Sequence, residues 1–427
     1  MKTTNRKNVW ILSFTLAVVM LGFGMVIPIF PFYIESMGAS GNELGLLTAI
    51  SPFMQLVFAP IWGEVSDRKG RKPVLLIGVL GYGISMLLFG LATQLWMLFV
   101  ARGLGAILSA ATLPTTYAYI GDSTSEDDRG RGMGILGAAV GLGMVLGPGL
   151  GGWLAAGSLS TPFFITAALC VVTLLFIWLF LPESLAAQER RESTSSIAPA
   201  AQIRQLWHAL FSPIGILLFI AFLVSFGLTN FQAIFGLYAL EKFGYNTEQV
   251  GWIFTGVGLV SALTQGILTG PLTKRWGEAS VIKVTLLLSS ISFGALLLAN
   301  SFLTVLLTTC FFTLPNALLR PAVISLTSKQ ATTKQGVAMG LNNSFTSLGR
   351  IVGPIWAGYA FDINVHYPYL SGAAIIFVGF LISLVWISQE SSWPRRPMSS
   401  PWRRGGRSGD RVCVDGGQRI IEILDAQ

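Results

Sequence analysis

The polar stretch that decides the fold lies between two long apolar runs and reads Gly63-Glu-Val-Ser-Asp67-Arg68-Lys-Gly70-Arg71-Lys72. Two of its glycines recur 207 positions later, as Gly270 and Gly277. Pro114 recurs at the same distance as Pro321, so the repeat continues into the apolar runs that follow. A polar stretch that is repeated together with its flanking apolar runs predicts a chain built from two copies of one unit.

A second set of special residues repeats with an offset one position shorter. At 206 positions, three residues of the first half match three of the second: Gly147 with Gly353, Pro148 with Pro354 and Gly152 with Gly358. The two offsets therefore differ by a single residue over a stretch of four helices. Chance is a poor explanation for such a match. Two six-helix halves duplicated in parallel are a recognised transporter plan, in which the substrate lies at the interface between the halves.

The composition places these repeats in a membrane. The 427 residues are 52% hydrophobic and only 11% charged, whereas soluble domains carry about 25% charged residues. Apolar runs recur from Trp10 to Ile387, each near the roughly 20 residues that an α-helix needs to cross a bilayer. The first run, from Val9 to Phe32, exceeds the apolar core of a signal peptide and has no clear cleavage site, which indicates an uncleaved span. We predict twelve spans: 9–33, 44–65, 73–92, 95–120, 131–155, 161–181, 212–240, 248–272, 279–299, 302–327, 336–361 and 367–388.

The spans divide the chain into four regions. Residues 1–182 form an N-terminal six-helix half, and residues 211–388 form a C-terminal six-helix half. The stretch 183–210 is rich in Ser, Gln, Glu and Arg and is predicted to be a cytoplasmic linker. Residues 389–427 are rich in arginine and contain no span, so we predict a mostly disordered cytoplasmic tail.

The net charge of +8 is concentrated on one side of the predicted membrane. Short basic loops stay in the cytoplasm, so both termini are expected there. The same distribution argues against a nucleic-acid partner. The opposite loops hold only Lys242, whereas the loops on the N-terminal side hold Lys2, Arg6, Lys7, Arg68, Lys69, Arg71, Lys72, Arg129, Arg131, Arg190, Arg191, Arg204, Lys274, Arg275, Lys283, Lys329 and Lys334.

The stretch from Gly63 to Lys72 resembles the loop motif of the major facilitator superfamily. This resemblance implies an all-α integral membrane fold with twelve transmembrane helices in two pseudo-symmetric halves, and a latch at this loop. Gly63 and Gly70 allow a tight turn, Asp67 can accept hydrogen bonds from the free amides of another helix, and Arg68 and Arg71 hold the loop at the membrane surface. An ordinary basic loop would explain the cations but not the joint spacing of glycine and aspartate.

Arg102, in the stretch Leu98-Phe-Val-Ala-Arg102-Gly-Leu-Gly105, is similar to the arginine of the family's fourth span, which is linked to proton transfer. It lies about eight residues into the span, hence roughly 12 Å deep, where an arginine costs at least about 3 kcal/mol. The alternative is that its side chain extends back to the outer face. For proton coupling, Asp67 and Asp122 are the best-placed carboxylates.

Span 5 contains a glycine pattern that resembles the antiporter motif of the superfamily: Gly143, Gly147, Pro148, Gly151 and Gly152. Small residues at helical spacing let backbones approach closely, and the proline bends the helix. The pattern also satisfies GxGxxG, but no strand precedes it and no acidic residue follows at the distance that a dinucleotide site needs.

Gly22, Gly24, Pro28 and Pro31 in span 1 resemble the first-span motif of twelve-span drug:proton antiporters. Two further stretches, Phe226 to Phe231 and Leu341 to Gly349, narrow the resemblance to bacterial multidrug exporters of the quinolone-resistance type, which implies a bacterial cytoplasmic membrane. That resemblance implies export of small, largely hydrophobic compounds by proton antiport with alternating access. The alternatives are an importer or facilitator of a small polar solute or organic anion with the same fold, and a membrane sensor. A sensor would be expected to carry a sizeable soluble domain.

Large apolar residues with scattered polar ones are typical of a binding surface for varied ligands. Helix packing or lipid contact is the alternative for each aromatic among them. The interior of the predicted spans holds Arg102, Arg320 and Arg350 but no carboxylate, which predicts a preference for neutral, zwitterionic or anionic substrates. Alternatively, Arg320 and Arg350 bind carbonyls freed by nearby prolines. The predicted substrate-binding residues are Phe23, Tyr117, Phe231, Gln232, Phe235, Asn316, Arg320, Asn342 and Phe345.

Other chemistry is not expected. His208 and His366 are the only histidines, and no nucleophile or metal-ligand constellation accompanies them, so we expect neither an enzyme nor a cofactor. The sequence has no GxxxxGK[ST] phosphate loop, so an ion or solute gradient must drive transport. Cys170, Cys310 and Cys413 lie far apart in the sequence. The expected partners are a small-molecule substrate, protons and the lipid bilayer, with the protein a monomer.

Overall fold

The computed structural model describes residues 6–124, 126–185, 214–331 and 335–387, and within these ranges every regular element is a helix. The predicted linker is described only for residues 183–185, and the predicted tail lies outside the described residues, as do His208 and Cys413. The helices of spans 1 to 6 are Arg6–Glu35, Gly41–Lys69, Arg71–Leu91, Leu95–Ser109 with Thr112–Ser123, Glu126–Ala155 and Thr161–Phe180. The helices of spans 7 to 12 are Gly215–Phe243, Thr247–Leu263 with the π-helical turn Thr264–Leu268, Thr269–Leu296, Phe302–Gln330, Gln335–Ile363 and Tyr367–Trp386.

These helices confirm the twelve predicted spans. Ten stretches of the described chain are long and apolar enough to cross a membrane, and one of them, Thr247–Leu296, is 50 residues long. This long stretch contains two crossings, because the backbone leaves the helical conformation at Gly277. The helix Gln335–Ile363 completes the set with 29 residues. Span 4 is made of two consecutive helices that meet at residues 110–111.

The internal repeat is visible in the backbone. Gly70 ends span 2 with a φ of 104°, and Gly277 ends span 8 with a φ of 76°. Both angles lie in the region that glycine adopts at no steric cost and other residues avoid. The same sharp turn therefore joins spans 2 and 3 in the first half and spans 8 and 9 in the second.

Each half has its own aromatic core. In the first half, the ring of Phe89 lies 5.6 Å from that of Phe163, with Phe30 and Tyr33 alongside. In the second half, the ring of Phe312 lies 4.5 Å from that of Phe293 and 4.9 Å from that of Phe231. These rings are buried, so packing of aromatic side chains stabilises both bundles from within.

The outer surface of the bundle is apolar. Large side chains such as Trp178, 63% exposed, and Trp386, 71% exposed, recur along nearly all of the spans. Soluble proteins rarely expose apolar area on this scale, and it marks the surface that faces lipid. The protein is therefore a multi-pass membrane protein.

The two ends of the bundle differ in charge. We call the end that carries Lys69, Arg71, Arg131, Lys274 and Lys329 the basic face, and the other end the opposite face. The two halves pack together as one compact unit. The largest contacts between the halves are made by spans 2 and 11 and by spans 5 and 8, and spans 1 and 7 make a smaller one.

In both of the larger contacts between the halves, the two backbones approach each other most closely toward the opposite face. A methyl group on Gly152 would lie 2.5 Å from the carbonyl oxygen of Thr247, and one on Gly251 would lie 2.7 Å from that of Pro148. In the symmetry-related contact, Gly358 meets Gly41 at the start of span 2. Glycines let these backbones touch, so the halves are sealed against each other at the opposite face.

Candidate functional site

A cavity of about 120 Å³ lies between the halves, in the region between the middle of the spans and the opposite face. Spans 1, 2 and 4 supply its wall from the first half, and spans 7 and 11 supply its wall from the second. Its lining is largely apolar and contains two arginines but no carboxylate. The lining residues are Phe23, Val26, Ile27, Phe30, Pro31, Thr48, Ser51, Pro52, Arg102, Thr229, Gln232, Ala233, Arg350 and Pro354.

Arg102 enters the cavity from the first helix of span 4. Its guanidinium carbon lies 5.0 Å from the centre of the Phe30 ring and 6.0 Å from that of Phe89. Both distances are within the range of a cation–π interaction. The Nε atom of Arg102 is enclosed and has no hydrogen-bond partner. The aromatic rings therefore position this cation, but no carboxylate among the described residues forms a salt bridge with it.

Arg350 faces the same cavity from span 11. It lies close enough to Arg102 and to Arg320 for their positive charges to repel. The sequence left open whether Arg320 and Arg350 bind carbonyls freed by prolines. Within the described ranges neither side chain makes such a hydrogen bond. The cavity therefore has a positive field that comes from both halves of the repeat.

The structure brings some of the predicted substrate-binding residues to this cavity and places the others elsewhere. Phe23 and Gln232 line it. Phe231 and Phe235 are fully buried against Phe254, where they pack the second half. The remaining five predicted residues, Tyr117, Asn316, Arg320, Asn342 and Phe345, do not line it.

Each of those five has a definite environment. Asn316 is buried and donates a hydrogen bond from Nδ2 to the carbonyl of Phe312, four residues earlier, at 2.7 Å. Asn342 is buried with an unpaired Oδ1, and Phe345 packs in a small separate core cluster. Tyr117 and Arg320 are exposed. Periodicity alone could not distinguish these positions from the cavity wall, because it does not fix how each helix is rotated.

Sequence analysis missed three polar residues of the cavity, Thr48 and Ser51 in span 2 and Thr229 in span 7. Polar residues in a membrane span are a signal for a functional surface, and this signal was available. Thr229 is already engaged, since its hydroxyl donates to the carbonyl of Ser225 at 2.7 Å. Thr48 and Ser51 make no hydrogen bond within the described parts of the chain, so they are free to bind a ligand.

A cluster of charges surrounds Arg71 at the basic face. Its Nε donates to Asp122 Oδ2 at 2.9 Å, its Nη1 lies 2.5 Å from Asp67 Oδ1, and Nη1 also donates to Ser66 Oγ at 3.1 Å. Asp67 and Asp122, the two carboxylates predicted for proton coupling, thus share one arginine. Arg68 instead pairs with Glu64 in an exposed salt bridge.

The expected contact of Asp67 with the end of another helix is absent from the described chain. Asp67 is held by Arg71, four residues later, and it remains more than half exposed. The amides at the start of span 3 are bound by Glu183, whose carboxylate accepts hydrogen bonds from the Arg71 and Lys72 amides at 2.8 and 3.2 Å. Sequence analysis missed Glu183. Its position directly after span 6 was the only available signal.

At the opposite face, Asp362 makes the contact that was expected of Asp67. Its Oδ1 accepts a hydrogen bond from the Gly41 amide at 2.7 Å, and its Oδ2 accepts one from the Asn42 amide at 2.9 Å. A carboxylate at a helix N-terminus is favourable because it satisfies free amides and complements the helix dipole. Since Asp362 ends span 11 and Gly41 begins span 2, this contact joins the two halves.

The glycine motif of span 5 packs on two neighbours. Gly143, Gly147 and Gly151 recur every four residues and face span 1, where a methyl group on Gly147 would lie 2.7 Å from the carbonyl oxygen of Leu21. Gly152 faces span 8 instead, beside Thr247. The motif therefore lets span 5 touch its own half and the other half at once.

Known proteins resemble this chain in sequence and in fold. The sequence matches the family model of the Major Facilitator Superfamily over residues 12–228 and 217–411. It is 34% identical to multidrug resistance protein 2 of Bacillus subtilis, over 88% of this chain and 94% of that protein. It is 28% identical to the quinolone resistance protein NorA of Staphylococcus aureus, over 89% and 96%. The structure of the nucleoside transporter NupG superposes with a TM-score of 0.75 at 14% identity, over 88% and 99%.

Proposed function

Since the chain belongs to the major facilitator superfamily, we propose that it exports small, largely hydrophobic compounds from the bacterial cytoplasm by proton antiport. The names of the relatives support drug export, because they match over almost the whole of both chains. The observation that carries the proposal is the cavity that both halves line, with a charged Arg102 inside it. Alternating access needs a site of this kind, shared by two bodies that can rock.

The halves touch at the opposite face and leave space between the spans near the basic face. This arrangement supports export of substrate that enters from the basic face. The halves touch at the opposite face, as described for Gly152 and Gly358. Near the basic face, methyl groups on Gly134 and Gly137 of span 5 or on Gly340 of span 11 would have nothing within 4 Å. We take the basic face as cytoplasmic by the positive-inside rule, which makes this a conformation that receives substrate from the cytoplasm.

Proton coupling is assigned to the cluster around Arg71. Protonation of Asp122 or Asp67 would weaken its salt bridge with Arg71, which holds the loop between spans 2 and 3 against span 4. Proton binding could therefore change how this loop moves as the halves rock. The carboxylates lie away from the cavity, so coupling would act through helix motion instead of direct competition with substrate.

A second candidate function is suggested by the positive cavity, namely facilitated diffusion of an organic anion without protons. The two functions differ in whether a pH gradient drives accumulation. In proteoliposomes with an acidic interior, an exporter inserted with its basic face outward accumulates substrate above the external concentration, whereas a facilitator only equilibrates it.

The test uses a panel of cationic, neutral and anionic compounds, such as ethidium, chloramphenicol and a naphthoate, on the wild type and on Arg102→Ala. Gradient-dependent accumulation that Arg102→Ala abolishes supports proton-coupled export. Equilibration without accumulation for every compound contradicts it.

A further inference from the structure

We propose that Arg102 and Arg350 form a binding site for the anionic group of an aromatic carboxylate or sulfonate. This inference rests on the proposed transport function and names the substrate class that its cavity would take. It begins from a charge imbalance, because two guanidinium groups share a cavity whose lining contains no carboxylate. A buried charge without a partner is strongly unfavourable, so the cavity is expected to attract a counter-charge.

The residues that the structure describes do not supply that counter-charge. Arg102 and Arg350 take part in none of the salt bridges formed by the described residues, and Arg102 Nε has no hydrogen-bond partner. In the described part of the chain, charged clusters lie at the two faces, around Arg71 and Glu278 at the basic face and Asp362 at the opposite face. An anion that enters the cavity would therefore meet donors that no other group satisfies.

The walls of the cavity indicate which anion fits. Phe30 holds the guanidinium of Arg102 from one side, and Phe23 adds a second aromatic surface. Thr48, Ser51 and Gln232 also line the cavity and make no hydrogen bond within the described ranges, so they can orient a ligand. Apolar rings beside two free arginines suit a flat ring that carries an acidic group.

The size of the cavity limits how much of a ligand it encloses. At about 120 Å³ it is smaller than the roughly 300–1,000 Å³ typical of sites for drug-sized ligands. It would thus hold the anionic end of a substrate and one or two rings. Arg350 comes from the second half and Arg102 from the first, so an anion between them would bind both halves at once. It would also offset the repulsion between the two arginines.

The experiment compares three ligands that share one ring system and differ in charge: 2-naphthoate, 2-naphthamide and 2-naphthylmethylammonium. Binding to the full chain in a neutral detergent is measured by equilibrium dialysis at pH 7, without a gradient. The variants are Arg350→Gln, Arg350→Lys and, as a matched loss of one positive charge, Arg131→Gln. Arg131 is exposed at the basic face, away from the cavity lining.

The wild type is expected to bind naphthoate more tightly than the amide or the ammonium compound. Arg350→Gln should weaken naphthoate binding about 10- to 100-fold, the range for a lost hydrogen bond between charged groups, and leave the amide nearly unchanged. Arg350→Lys should retain part of the preference, and Arg131→Gln should retain all of it. Equal weakening of all three ligands by Arg350→Gln would indicate a packing role and overturn the proposal.

An anionic lipid head group offers the same chemistry from another source. Naphthoate binding is therefore repeated in nanodiscs of phosphatidylcholine with and without phosphatidylglycerol. Equal binding in both supports a soluble organic anion. Loss of naphthoate binding in the presence of phosphatidylglycerol would assign the arginines to lipid and overturn the proposal. Because no gradient is used, a failure of proton coupling would leave these binding results unchanged.

Discussion

The guanidinium of Arg71 and the carboxylate of Asp122 form a salt bridge of 2.9 Å that joins spans 3 and 4 at the basic face. At the positions 207 residues later, Glu278 pairs with Lys329 and joins spans 9 and 10. The duplicated fold has thus kept an ion pair at matching places and reversed the sign of both partners. Asp67, the other partner of Arg71, is likewise matched by Lys274.

Because of this reversal, the described residues include an arginine bound by two carboxylates in the first half, Arg71, but none in the second half. We expect Asp122→Asn to leave substrate binding intact and to abolish pH-driven uptake into inverted vesicles, because the amide cannot exchange a proton at Arg71. The measurement is substrate accumulation at a series of imposed pH differences. Glu64→Gln is the matched control, since Glu64 lies at the same face of the bundle, in span 2, and its partly exposed salt bridge with Arg68 contributes little stability. Unchanged accumulation in Asp122→Asn would remove Asp122 from the coupling mechanism.

The reversed pair is expected to stabilise the second half. Glu278 is largely buried and also accepts a hydrogen bond from Ser325 at 2.9 Å. Lys329→Ala should lower the thermal unfolding midpoint of the purified protein, because it leaves the carboxylate without its cation. The double variant Glu278→Gln with Lys329→Ala should recover part of the loss. Additive losses from the two changes would show that the pair makes no joint contribution.

Asp362 is expected to hold the opposite face closed. A carboxylate at a helix N-terminus contributes about 0.3–2 kcal/mol, so Asp362→Ala should raise the population of conformers open at that face. Spin labels at Ser36→Cys and Ile363→Cys, in a background without native cysteines, report the distance between the halves. The distribution should broaden toward longer distances in Asp362→Ala.

Glu35→Gln controls for loss of a carboxylate near the same face, and it should leave the distances unchanged. An unchanged distribution in Asp362→Ala would contradict a latch at this position. The first half has no equivalent, because the residue 206 positions before Asp362 is Ala156.

The glycine motif of span 5 gives a prediction with an internal control. Gly147→Ala places a methyl group 2.7 Å from the carbonyl oxygen of Leu21 and should cost about 1–3 kcal/mol by overpacking. We expect lower thermal stability and slower transport. Gly137→Ala, about three turns earlier and with nothing within 4 Å of its methyl group, should be neutral or stabilising. Equal effects of both changes on transport would mean that close packing of spans 1 and 5 is not required.

The sequence predicted the spans well because their length and apolar composition are set by the bilayer. The duplicated glycines also predicted the turn that Gly70 and Gly277 make. Partners of the polar side chains were harder to predict. Asp67 carried the expected motif but binds Arg71, whereas Asp362, which belongs to no motif, caps the other half's helix. Such pairings depend on which helix ends meet in one conformation, and neither periodicity nor spacing encodes that.

The residues that line the cavity were also only partly predictable from the sequence. Arg102 was expected to be functional from its depth, and it lines the cavity with Phe23 and Gln232. Phe231 and Phe235 lie on the same span as Gln232, but they point into the core of the second half. A rotation of one helix by a fraction of a turn decides between these outcomes. Packing against neighbouring spans sets that rotation, and a single sequence read without coordinates does not supply it.

Proton antiport is tested most directly by recording substrate and protons in the same vesicles. Proteoliposomes with an acidic interior and an enclosed pH-sensitive dye receive a transported compound from outside. Antiport predicts that addition of the compound makes the interior less acidic, at a rate that follows substrate uptake and is lost in Asp122→Asn. Substrate uptake with no change in internal pH, or the same change with Asp122→Asn as with the wild type, would contradict proton exchange through the Arg71 cluster.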